Sequence, residues 1–288
     1  MRKIEKAASA RDASGSQITQ GQYSTLVERM TMSNYDTSPG IRRSDLWMIN
    51  KSPKHFAWHM EHGKDETKAL QFGIAAHQYI LEPDHFKDRI AIAPEVNRRT
   101  KEGKEIWQRF LDECESENKT PITIEDMTQI EAMAAEIQKN ELAVQLLAGE
   151  HEKAFYWTDD LTGELCKCKV DCLTMYDGKP YIVDYKTADS CEDGAFERSA
   201  RKYGYQFQAG MYREGLFQNE LQEYGFAFVA QEKNEPYAVR VYICSPEWIL
   251  RGYDKFRELI GIYHECKETG NWYGYEGPEG VPAELTEV

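Results

Sequence analysis

The spacing of apolar residues changes character once along this chain. Through the first half they recur every three or four positions, the period of a helix with one buried face. SDLWMINKSPKHFAWHM predicts a short helix from Ser44, a turn at Pro53 and a second short helix. KALQFGIAAHQYILEP predicts a longer helix, with Leu70, Ile74, Tyr79 and Leu81 among its apolar positions. It stops at Pro83, because proline lacks the N–H and clashes with the preceding turn. Beyond a charged loop, Lys101 to Ser116 is helical in pattern. ITIEDMTQIEAMAAEIQKNELAVQLLAG opens with Thr123 three residues before Asp126, a capping arrangement, and closes at Gly149. Residues 1–32 are polar, rich in Ser, Thr and Gln, and are expected to form a flexible arm.

From residue 151 the period falls to two. HEKAFYWTDD, LCKCKVDCLTMY and PYIVDYKT, separated by LTGE and DGK, predict an antiparallel meander of three strands. Helical stretches near 192–202 and 205–220 follow, then strands in YGFAFVAQ and YAVRVYICS. A long amphipathic helix comes last, with Pro246 in its first turn and Gly270 at its end. That order makes an α/β domain over residues 33–270, with a helical N-terminal half, a central mixed sheet flanked by helices, and residues 271–288 as a tail.

Composition narrows the classes. A chain of 288 residues, 41% hydrophobic and 12% aromatic, can bury a sizeable core. It has no run of 18 apolar residues, and the start MRKIEKAASARDASGSQ lacks the apolar centre of an export signal. A cytoplasmic protein without a membrane partner is expected. Seven cysteines, an odd number, argue for free thiols. CKCKVDC, with Cys166, Cys168 and Cys172, fits neither zinc nor iron–sulfur spacing and reads as small residues packing in a strand. The net charge of −14 excludes holding nucleic acid through bulk attraction, so any contact with phosphates has to be local. Arg42 and Arg43 with Lys51 and Lys54, RRTKEGK at 98–104, and Arg198, Arg201 and Lys202 are the basic patches, each equally describable as a solvated face.

In YIVDYKTAD, Asp184 and Lys186 flank Tyr185 and project to one side of the predicted strand. Other acid-x-Lys triplets start at Glu66, Glu102, Glu117, Asp177 and Glu265, each in a helix or turn pattern. A charged strand end explains the Asp184 pair as simply as half of an active site does. Asp171 lies 13 residues upstream across the DGK turn, where antiparallel pairing brings its carboxylate beside that of Asp184. Adjacent carboxylates repel unless a cation sits between them, and oxygen ligands suit Mg²⁺, with Mn²⁺ able to substitute. A neighbouring ammonium could then orient a water and stabilise charge on a phosphate, as phosphodiester hydrolysis requires. Gln208 and Tyr212, four residues apart, share a helical face. His77 interrupts the apolar pattern of its helix and reads either as a satisfied core histidine or as a ligand.

GIAAHQYILEPDHF, LCKCKVDCL, YIVDYKT and YQFQAGMY, in this order, resemble the RecB-type nuclease branch of the PD-(D/E)-x-K superfamily, and most closely the RecE (exodeoxyribonuclease VIII) family. YDTSPGIRRSDLWMINKSPKHFAWHM resembles the start of that nuclease domain. The resemblance implies a restriction-endonuclease-like core. It implies His77, Asp171, Asp184 and the Tyr185 carbonyl as metal ligands, Lys186 as the catalytic lysine, and Gln208 and Tyr212 at the DNA or around the attacking water. Glu152, on the first strand of the meander, is placed for a supporting carboxylate. Val170-Asp171 stands where the superfamily has Pro-Asp, a minor departure since the proline is no ligand. The four-cysteine signature of some relatives is absent, so no iron–sulfur cluster is expected.

The same resemblance implies a Mg²⁺-dependent double-strand DNA exonuclease, bacterial or phage-encoded. It would digest 5′ to 3′, leaving 3′ single-stranded ends for homologous recombination, with a RecT-like single-strand annealing protein as partner in a prophage system. For so acidic a subunit, sustained hold on a duplex end predicts a ring-shaped homo-oligomer whose channel Arg42, Arg43, Lys51 and Lys54 line. An endonuclease, a nuclease of other polarity, and a non-catalytic DNA-binding module on the same fold are the alternatives.

Overall fold

The computed structural model describes residues 32–63, 67–220 and 222–282; all but the last residue of the expected N-terminal arm, and the end of the tail, lie outside them. The first half comprises α1 (Met32–Thr37), α2 (Arg43–Ile49), α3 (Pro53–His62), α4 (Lys68–Leu81), α5 (Phe86–Arg89), α6 (Lys101–Ser116), α7 (Ile124–Ile137) and α8 (Glu141–Leu147). Side-chain oxygens start these helices: Ser52, Thr67 and Thr100 each accept a backbone N–H of the first turn, and Thr123 with Asp126 forms a complete capping box.

Besides the short helices α1 and α5, which the sequence reading did not include, two features depart from it. The run from Thr123 to Gly149 is two helices, because the side chain of Asn140 accepts the N–H of Ala143 and starts a new one. Apolar spacing continues across that break and hides it. A short parallel pair, β1 (Ile90–Ile92) with β2 (Thr120–Ile122), occupies stretches too brief to show a period.

The second half runs β3 (Glu150–Thr158), β4 (Leu165–Tyr176), β5 (Lys179–Ala188), α9 (Asp193–Tyr203), α10 (Tyr205–Glu220), β6 (Gly225–Glu232), β7 (Val239–Ile243) and α11 (Pro246–Thr269). These strands form one mixed sheet in the order β3-β4-β5-β6-β7, parallel only between β5 and β6, where α9 and α10 make the crossover. Alternation along β6 divides the core: Phe226 and Phe228 face Phe207 and Met211 of α10 and Phe256 of α11, while Ala227 and Val229 face Leu81 of α4 and Leu146 of α8. Helices therefore cover both faces. Among the described residues no helix is long and apolar enough to cross a membrane. The seven cysteines are free; Cys166, Cys168 and Cys172 are buried packing residues.

One irregularity positions the site. β4 pairs with β5 from Tyr176–Lys179 to Cys172–Val183, and beyond that the strands diverge. β5 continues alongside β6. The other half of β4 takes Ile41 as a neighbour, through Ile41 N–H to the Leu165 carbonyl and Lys167 N–H to the Ile41 carbonyl. Buried Lys167 fastens this segment by donating to the carbonyls of Tyr35 and Ser38, at 2.6 Å each.

Candidate active site

The fork between β4 and β5 opens at two aspartates. In strand register Asp171 and Asp184 would be the pair after Cys172–Val183, and Glu152 on β3 lies opposite Asp171. Neither ladder includes these positions. Glu152 has a φ of 57°, and the packing phase of β4 slips at Asp171: Val170 faces the α10–α11 core, whereas Cys172 faces the other. In place of a strand partner, the N–H of Tyr185 donates to Asp171 Oδ2 at 2.9 Å. Three carboxylates thus stand side by side on three adjacent strands.

Helices close the site from both faces of the sheet. From α4, His77 places Nε2 2.9 Å from Asp171 Oδ2 and Nδ1 3.5 Å from Glu152 Oε1. The ligand atoms of His77, Glu152 and Asp171 lie within 4.8 Å of one another. On β5, Lys186 Nζ is 2.5 Å from Asp184 Oδ2. From α10, the Gln208 amide donates to Asp184 Oδ1, and Tyr212 follows one turn later against the core. The Tyr185 ring lies beside that of His77, centroids 6.4 Å apart, with its hydroxyl donating to Gln231 at 2.8 Å, while its backbone N–H reaches Asp171. Lys169 ion-pairs with Glu152, a contact the sequence reading missed. Lys169-Val170-Asp171 is the mirror image of Asp184-Tyr185-Lys186, and the same alternation rule could have found it.

Burial acts against every charge here, and the partners decide the outcome. Burial and the nearby Asp171 push the Asp184 carboxyl up to about 6, and burial raises that of Glu152. Burial also works to raise Asp171, but the charges of His77 and Lys186 and the Tyr185 N–H hold it below the usual carboxylate range. For His77 and Lys186, burial works to lower the pKa and is outweighed by Asp171 and by Asp184 respectively, so both are raised. Asp184 Oδ2 and both Glu152 oxygens are buried, with Lys186, Lys169 and His77 as their charged partners. Buried carboxylates gathered with one imidazole among them fit a hard divalent cation. The residues whose ligand atoms converge, His77, Glu152 and Asp171, would hold it; Asp184, expected as a ligand, is engaged by Lys186 and Gln208 beside them.

The profile of the PDDEXK-like domain of unknown function family (DUF3799) matches residues 43–278. This chain belongs to that family. Its fold is that of the PD-(D/E)-x-K nucleases, as the order of its motifs implies. A candidate exonuclease from Eubacterium rectale, solved by crystallography, is similar over 95% of this chain and 97% of its own, with a TM-score of 0.58 and 14% identity, a likeness of fold. The protein SSO0001 is 13% identical over 83% of this chain and 96% of that one, with a TM-score of 0.27, too low to carry an argument. No curated protein matches the chain.

Of the four basic residues expected to line a channel, the two arginines are engaged within this PDDEXK-like domain. Arg42 is engaged by Asp36 and Asp45, at 3.2 Å each. Arg43 turns inward, donating to the Tyr203 carbonyl, with its buried Nε unpartnered. Adjacent residues at a helix start point about 100° apart, so the two arginines part company. Lys51 and Lys54 are exposed, at the turn before α3 and in its first turn.

Proposed function

We propose that this chain is a Mg²⁺-dependent double-strand DNA exonuclease that digests 5′ to 3′ and leaves 3′ single-stranded ends for annealing and recombination. The observation that carries the hydrolytic part is the convergence of Glu152, Asp171, Asp184 and Lys186 in the fork. A scaffold gains nothing from buried like charges whose repulsion has to be offset. When bound, a divalent cation supplies a Lewis acid and a more acidic water.

The chain's own residues position and stabilise. Lys186, its Nζ against Asp184 on the same strand, is placed to serve as an electrostatic donor to the phosphate or the attacking water. Gln208 locks one oxygen of Asp184. His77 and the Tyr185 N–H both hold Asp171 Oδ2, so the two aspartates keep separate orientations. Support for substrate and direction comes from the RecE-like order of motifs, which also favours a RecT-like annealing partner.

The test compares 5′- and 3′-labelled linear duplex with covalently closed circles in Mg²⁺. Stepwise loss of the 5′ label with circles left intact is expected. Circles nicked as fast as linear duplex is shortened would overturn the exonuclease reading.

A further inference from the structure

Next to the metal site, the turn from α9 to α10 carries two aromatic rings that the chemistry above does not use. Tyr203 ends α9, Tyr205 begins α10, and Gly204 between them has a φ of 67°. That left-handed residue lets tyrosines two positions apart stack, their centroids 6.1 Å apart and the rings 26° from parallel. The inner ring, Tyr205, has Lys186 Nζ 5.1 Å from its centroid and packs on Phe228 at 5.4 Å. The outer ring, Tyr203, is 46% exposed.

The turn is held firmly for a surface feature. A Cβ on Gly204 would meet Trp47 at 2.6 Å, and Trp47 is itself stacked on Phe207 at 5.5 Å. Arg43 donates to the Tyr203 carbonyl. Lys202 Nζ lies 4.9 Å from the Tyr203 centroid, at hand for a phosphate. An isolated exposed tyrosine needs no explanation. This one extends a stack that begins at the catalytic lysine, on a turn fastened by an inward-turned arginine.

We propose that Tyr203 and Tyr205 form a platform on which a nucleobase near the scissile phosphate stacks, whatever its identity. The proposal rests on the nuclease reading and adds a binding subsite to it. Every base presents a π-face, so such a contact holds a strand in place without reading its sequence. A base on Tyr203 would fix its nucleotide one ring beyond the ring that touches Lys186.

The experiment pairs a change in the protein with a change in the DNA. Affinity for a fluorescent duplex end is measured in Ca²⁺, for the wild type, Tyr203→Ala and Tyr203→Phe. The DNA is intact or carries an abasic tetrahydrofuran residue at each of the three terminal nucleotides in turn. Wild type is expected to lose about tenfold in Kd at one of these positions, Tyr203→Ala to lose about tenfold on intact DNA with no further abasic penalty, and Tyr203→Phe to match wild type. An unchanged Kd for Tyr203→Ala, or the same abasic penalty in that variant, would overturn the platform. Cleavage assays on the same proteins separate the two ideas. Turnover without this coupling removes the platform and keeps the nuclease, coupling without turnover does the reverse, and no DNA binding removes both.

Discussion

Lys186 is the residue on which structure and chemistry meet most narrowly, since it touches the buried Asp184 carboxylate and faces the Tyr205 ring. Lys186→Ala is expected to lower the single-turnover rate by about 10²–10³, by analogy with removing one preorganised donor to a developing oxyanion. A rate within a few-fold of wild type would show that the ammonium is a strand-end charge and no more. Asp171, Asp184 and Lys186 were legible in the sequence because strand alternation and hairpin register are properties of spacing alone. The membership of His77 followed from the resemblance, while composition left it between core residue and ligand. What spacing did not carry was the positive φ of Glu152, the phase slip at Asp171 and the inward turn of Arg43. Each is decided by packing between elements distant in the chain.

Two contacts between elements set how rigidly the fork is framed. The α10–α11 pair packs backbone on backbone: a Cβ on Gly210 would lie 2.1 Å from the Tyr253 nitrogen, and one on Gly252 1.8 Å from the Gln206 carbonyl oxygen. Gly210→Ala must push the helices apart, at a cost of about 1–3 kcal/mol, and it moves the helix that carries Gln208. A lowered Tm together with slower cleavage is the expected result. The second contact ties the β3–β4 turn to α11. Asp159 accepts the Thr162 N–H at 2.9 Å and two bonds from Arg257, one at 3.0 Å. Burial works to raise its pKa, but Arg257 and Thr162 outweigh it and hold the carboxyl below the usual range. A depressed carboxyl stabilises the fold above its unfolded pKa of about 3.9, and that stability disappears as pH falls through the folded value. Asp159→Asn should therefore cost about 1–3 kcal/mol in chemical denaturation at pH 7 and converge with wild type toward acid pH. At this scale most elements were readable, α6 at its observed bounds, because caps and periods are local. The split at Asn140 and the β1–β2 pair were not, the first masked by continuous apolar spacing and the second by three-residue strands.

For the whole molecule, a net charge of −14 sets the question of how DNA is retained. Arg42 is neutralised within the chain and Arg43 turns inward, which leaves Lys51 and Lys54 as the exposed members of the expected channel set. Under the proposed function, enclosure by several subunits would meet the need that diffuse attraction does not. Light scattering is expected to give a mass well above the 33.3 kDa of one chain, and a monomer that digests long duplex without release would contradict enclosure. The central claim, that the fork of Asp171 and Asp184 is a metal-dependent phosphodiester-cleaving centre, is tested most directly by nucleotide release from linear duplex. Wild type in Mg²⁺ should release nucleotides, while wild type in EDTA and Asp184→Ala in Mg²⁺ should release none. Release that survives either EDTA or the loss of Asp184 would contradict the account.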